Sequence, residues 1–141
     1  DAVVMSFAKV QENAYVGEEA RVIDNVTVAD SAVVTNGARI FGDVVVKDKA
    51  FVEGEAQVFN DAEISGDSTV SGEADVGGEA IIRGRAFVGG STRISGNAVV
   101  EDDARIVGKA VVTDDVVVGG SVTIDGDEVL DGTRKVTSRK T

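Results

Sequence analysis

The chain has 141 residues, 43% of them hydrophobic but only 4% aromatic, with a net charge of −11 and no cysteine, proline or tryptophan. This composition excludes a disordered tail, a disulfide framework and a thiolate metal site, and the charge argues against a nucleic-acid or anionic-membrane partner. No apolar run reaches the ~20 residues of a membrane span and no signal peptide opens the chain, so the compartment stays unassigned.

Taken in chain order, the elements are short units repeating at every sixth position. From Val4 the series runs through Val10, Val16, Val22, Val28, Val34, Ile40, Val46, Val52, Val58, Ile64 and Val70. It continues through Val76, Ile82, Val88, Ile94, Val100, Ile106, Val112, Val118, Ile124 and Leu130 to Val136. Every position in the series is Val, Ile or Leu, although these types make up only about a quarter of the chain, so chance does not produce it. Two places before the aliphatic position most units carry Ala. Two places after it about half carry Gly, with Asp, Asn, Ser and Glu filling the rest.

Each unit therefore reads as a strand of roughly four residues and a corner of about two. A small residue and a β-branched one spaced by two point to the same side of a strand, and the residue between them points outward. Gly, Asp and Asn tolerate the dihedrals of a tight corner. A strict step of six does not keep to one face of a helix of period 3.6. The outward aromatic residues set the coil length. Met5, Ile23, Phe41 and Phe59 recur at every third unit, and Tyr15, Val33, Phe51 and Phe87 share another register of the same step that Thr69 interrupts. Side chains one coil apart stack, so the expected fold is all-β: a single-stranded parallel β-helix, a three-faced triangular prism of about 18 residues per coil and about 7 to 8 coils, roughly 35–38 Å tall at ~4.8 Å per coil. Residues 1–132 are assigned to the β-helix and 133–141 to a basic C-terminal tail or cap. The chain opens on Asp1 rather than Met, which reads as the start of an excised segment.

Units such as Ile94-Ser-Gly-Asn-Ala-Val and Val70-Ser-Gly-Glu-Ala-Asp resemble the hexapeptide repeat of left-handed parallel β-helix proteins. That superfamily includes bacterial acyltransferases and γ-class carbonic anhydrases. The resemblance covers residues 1 to 132, and it alone implies the left hand, because the general rule favours right-handed parallel crossovers. The Gly-Asn-Ala and Gly-Glu-Ala corners look most like uncharacterised hexapeptide-repeat proteins of bacteria, phages and prophages. The closing Ile124-Asp-Gly-Asp and Thr133-Arg-Lys-Val-Thr-Ser-Arg are similar to the tails of some of them.

The enzymatic relatives use histidine as general base or as metal ligand. This chain has none and no insertion breaks its register, so no catalytic, cofactor or metal residue is assigned and the segment is expected not to be an enzyme. Two other kinds of site come into question. Asp30 with Asp48, and the pairs Asp102–Asp103 and Asp114–Asp115, offer oxygen ligands for calcium or are simply solvated corners, the favoured reading. Outward Thr27, Thr69 and Thr123 do not form the regular array of an ice-binding face.

Glu128 and Arg134 are the only charged residues in the small-residue column, and they are read as a C-terminal cap in preference to a functional ion pair. The basic tail, with Arg134, Lys135, Arg139 and Lys140, offers a contact for an acidic partner. Three apolar ladders remain: Met5, Ile23, Phe41 and Phe59; Tyr15, Val33, Phe51 and Phe87; and Ile81, Val99 and Val117. They either support their own strands or mark a subunit interface or the seat of another domain. The expected function is a rigid, non-enzymatic structural or adhesive module of a bacterial or phage protein that forms a homo-oligomer, a dimer or trimer, or binds a protein or glycan partner. The alternatives are the β-helix segment of an acyltransferase-type enzyme with catalytic residues outside this chain, and a glycan- or ice-binding surface.

Overall fold

The computed structural model describes residues 3–5 and 7–137. Short two-residue strands follow one another at the expected step, from β1 (Val3–Val4), β2 (Lys9–Val10) and β3 (Tyr15–Val16) to β23 (Lys135–Val136). Every third strand joins the same sheet. The result is three parallel sheets, here faces A, B and C, which begin with β1, β2 and β3 respectively. Registers such as Val3↔Arg21, Lys9↔Thr27 and Tyr15↔Val33 fix the coil at three repeat units. The fold is thus an all-β parallel solenoid, a three-sided stack of about seven coils.

The strands are shorter than the sequence pattern suggests, and the corner chemistry explains why. The residue two positions after each inward aliphatic has positive φ at every position from Glu12 to Gly132, from +55° at Glu18 to +92° at Gly42. A tight turn closes most corners, as where the Ala20 N–H donates to the Gly17 C=O at 3.1 Å, and the corners at Gly42 and Gly132 are bends. The ladder nonetheless extends past the paired residues. Val3 N–H donates to Ala20 C=O and Met5 N–H to Val22 C=O, each at 2.9 Å, and in the corner Asn13 N–H donates to Asp30 C=O at 2.8 Å. Strand and corner alike hand their donors to the next coil, which satisfies the backbone of the interior.

The inward columns form one core. Every aliphatic position from Val22 to Leu130 is buried, and so is every small-column position from Ala20 to Val122. At the first coil the same columns emerge into solvent, with Val4 44% and Val10 38% exposed. At the far end Ile124 and Leu130 stay buried, Glu128 is half-buried and Arg134 is exposed. The solenoid also runs past the expected boundary at residue 132. β23 pairs with β20 (Val117–Val118), and Gly119 N–H donates to Val136 C=O at 2.9 Å. The polar sequence after Gly132 keeps an aliphatic at Val136, and that is enough to continue the ladder. Ala2, Ser6, Ser138, Arg139 and Lys140 lie outside the described residues.

Candidate functional site

Each coil presents three outward residues per face: one at the leading corner, one on the strand and one just after it. On face A the leading corner reads Glu19, Gly37, Glu55 and Glu73 over four coils, and the strand column beside it reads Arg21, Arg39, Gln57 and Asp75. Gly37 interrupts a row of long acidic side chains, and a shallow cavity of about 340 Å³ opens there, lined by Gly37, Arg39, Glu55, Gln57, Glu73 and Asp75. Val3, Glu19 and Arg21 extend the depression toward the first coil. The arginines on neighbouring coils, Arg21 and Arg39, stand opposite each other in the ladder with no ion pair among the described residues. The groove offers a guanidinium, an amide and carboxylates to a polar ligand. Only Gly37 signals it in the sequence, and its meaning depends on Glu19 and Glu55, one coil away on either side.

Face C carries the aromatic stripe. Tyr15, Val33, Phe51, Thr69, Phe87 and Arg105 are successive partners on neighbouring strands. The expected ladder residues Tyr15, Val33, Phe51 and Phe87 therefore do come together. Val33, Phe51 and Phe87 are half-buried and Tyr15 is exposed. The Arg105 guanidinium lies 4.9 Å from the Phe87 ring centroid, a cation–π contact that extends the stripe by one coil.

Met5, Ile23, Phe41 and Phe59 form a separate column at the trailing corner of face A. The Phe41 and Phe59 rings stack at 5.4 Å with 10° between their planes. The Phe59 ring then covers Gly77, one coil further on, and occupies the space where a side chain would begin. This ladder is packed along its own axis, which fits strand support. Ile81, Val99 and Val117 are neighbours on face B and half-buried.

The corner carboxylates do not converge on a cation site. Asp30 Oδ2 accepts from Asp48 N–H at 3.2 Å, and Asp48 Oδ2 accepts from Gly66 N–H at 3.0 Å. Asp102 accepts from Gly120 N–H and Asp114 from Gly132 N–H, each at 2.9 Å. Asp103 instead pairs with Arg85 at 2.8 Å, and Asp115 accepts from Asn97 Nδ2 at 3.1 Å. No cluster of three or more metal-ligating side chains occurs among the described residues. Thr27 stands on face B, and Thr69 and Thr123 stand on face C with two strands between them. No protein-family model and no curated protein matches this chain.

Proposed function

We propose that the chain is a rigid, non-enzymatic β-solenoid module, structural or adhesive, of a bacterial or phage protein, and that it works by self-association through face C. The observation that carries this reading is the stripe of Tyr15, Val33, Phe51 and Phe87, which keeps apolar and aromatic side chains on one face over most of five coils while the leading-corner column beside it, Asn13, Ser31, Lys49, Asp67 and Arg85, is polar. Contiguous apolar surface rimmed by polar residues is the usual anatomy of an interface. The unbroken corners support the same reading: successive coils repeat one turn, and among the described residues no loop leaves the prism to build a pocket. The resemblance of the repeat to left-handed hexapeptide proteins of bacteria and phages supplies the origin and the hand.

Changing Phe51 and Phe87 together to Asp tests it. Both side chains are outside the core, so the variant is expected to fold, and light scattering is expected to show a homo-oligomer falling to the monomer mass. An unchanged mass removes face C as the interface.

A second reading rests on the face A groove. Arg39, Gln57, Glu55 and Asp75 present donors and acceptors side by side along the prism axis, an arrangement that suits the hydroxyls of a glycan chain. Saturable glycan binding that Arg39→Ala abolishes while the oligomer mass stays constant favours this reading over the first.

A further inference from the structure

The leading corner of face C carries Lys49, Asp67, Arg85 and Asp103 on four consecutive coils, all exposed and alternating in sign. Within the chain, Arg85 already holds Asp103 through two contacts, Nε to Oδ1 at 2.8 Å and Nη2 to Oδ2 at 3.1 Å. Lys49 and Asp67 make no ion pair among the described residues.

Consider two copies pressed together on face C about a two-fold axis that runs along the strands. The prisms are then antiparallel and this column meets itself in reverse order. With the axis midway between the coils of Asp67 and Arg85, Lys49 faces Asp103 of the second copy and Asp67 faces Arg85 of the second copy, each contact occurring twice. Moving the axis by half a coil brings like charges together: Asp67 onto Asp67 and Lys49 onto Arg85 in one direction, Arg85 onto Arg85 and Asp67 onto Asp103 in the other. Moving it by a full coil keeps only two of the four opposite-charge contacts. The corner column fixes the register, and the strand column accommodates it. Phe51 faces Arg105 of the second copy, a further cation–π pairing, and Thr69 faces Phe87. A parallel arrangement, with the axis along the prism, pairs Lys49 with Glu53 but sets Arg105 against Arg105 and leaves Asp67, Arg85 and Asp103 opposite Ser71, Gly89 and Val107, so it keeps fewer opposite-charge contacts.

We infer that the partner on face C is a second copy of this chain, seated antiparallel about an axis between the Asp67 and Arg85 coils. The inference rests on the self-association proposed above and adds its geometry and stoichiometry. The chain has no cysteine, so single cysteines report cleanly. Ser31 and Ser121 are exposed and lie on the same corner column, two coils outside Asp67 and two coils outside Arg85. The antiparallel dimer places Ser31 of one copy opposite Ser121 of the other, and leaves identical sites five coil steps apart, roughly 24 Å along the axis.

A short bis-maleimide is therefore expected to cross-link a mixture of Ser31→Cys and Ser121→Cys chains. Neither variant alone is expected to cross-link. Cross-linking within each variant alone overturns the antiparallel geometry while self-association stands, and a dimer that no sample cross-links overturns the register. A wild-type chain that light scattering finds monomeric at every concentration overturns both the geometry and the proposed self-association.

Discussion

Thr92 shows how strict the interior is. It fills a small-column position, is fully buried, and its hydroxyl has no hydrogen-bond partner among the described residues. Ser68, the other buried hydroxyl in that column, donates to the Ser65 C=O at 2.7 Å. An unmet buried hydroxyl costs about 1–3 kcal/mol, so Thr92→Val is expected to raise stability by about 1 kcal/mol, roughly 2–4 °C in Tm for a chain of this size. A lower Tm for Thr92→Val contradicts the orphaned hydroxyl.

The corner aspartates behave differently. Asp48 has φ +62° and bonds the next coil through its carboxylate. Asp48→Ala loses the bond and puts a Cβ without local compensation in the left-handed region, a cost of about 1–2 kcal/mol. Asp48→Gly loses only the bond, so denaturant melts are expected to rank Asp above Gly above Ala. A glycine variant less stable than the alanine variant removes the conformational part of this explanation. The sequence shows where such corners fall but not this second role. A solvated aspartate and one that bonds the neighbouring coil look the same until the coil stacking puts Gly66 beneath Asp48.

Between neighbouring coils, aromatic rings and glycines work as matched pieces. Phe41 stacks on Phe59, and Phe59 lies over Gly77. The recurrence at every third unit makes the Phe stack legible in the sequence. The glycine beneath it is legible only in principle: Gly77 is the next step of the same series, and without the coil below Phe59 it looks like a break rather than a complement. Gly77 is buried and its Cβ position overlaps the Phe59 ring, so Gly77→Val must displace that ring. Overpacking of this kind costs about 1–3 kcal/mol. The loss is expected to shrink when Phe59→Ala is made in the same chain, because the space is then free. Additive losses in the double variant contradict the contact.

Across the whole molecule, one repeat rule with two inward columns accounts for the three faces and the single core. It is readable because no insertion disturbs the register from Val4 to Val136. What is not readable lies where one coil is seen against the next: the face A groove, which exists because Gly37 stands between glutamates. Stability in such a stack is close to a sum over coils and their contacts. A single core charge is thus felt through both neighbouring coils.

Phe51 and Val52 are adjacent on one strand, the first half-buried on face C and the second fully buried. If this alternation divides an association surface from the core, substituting Asp at each must give opposite outcomes. Thermal unfolding by circular dichroism, with the mass read on the same samples, tests that division most directly. Val52→Asp buries a charge with no partner, at a cost of several kcal/mol, and is expected to lose more than about 10 °C in Tm. Phe51→Asp is expected to melt within a few degrees of the parent while its oligomer mass falls. Equal losses of Tm in the two variants, or a destabilised Phe51→Asp beside an intact Val52→Asp, contradict the assignment of core and surface.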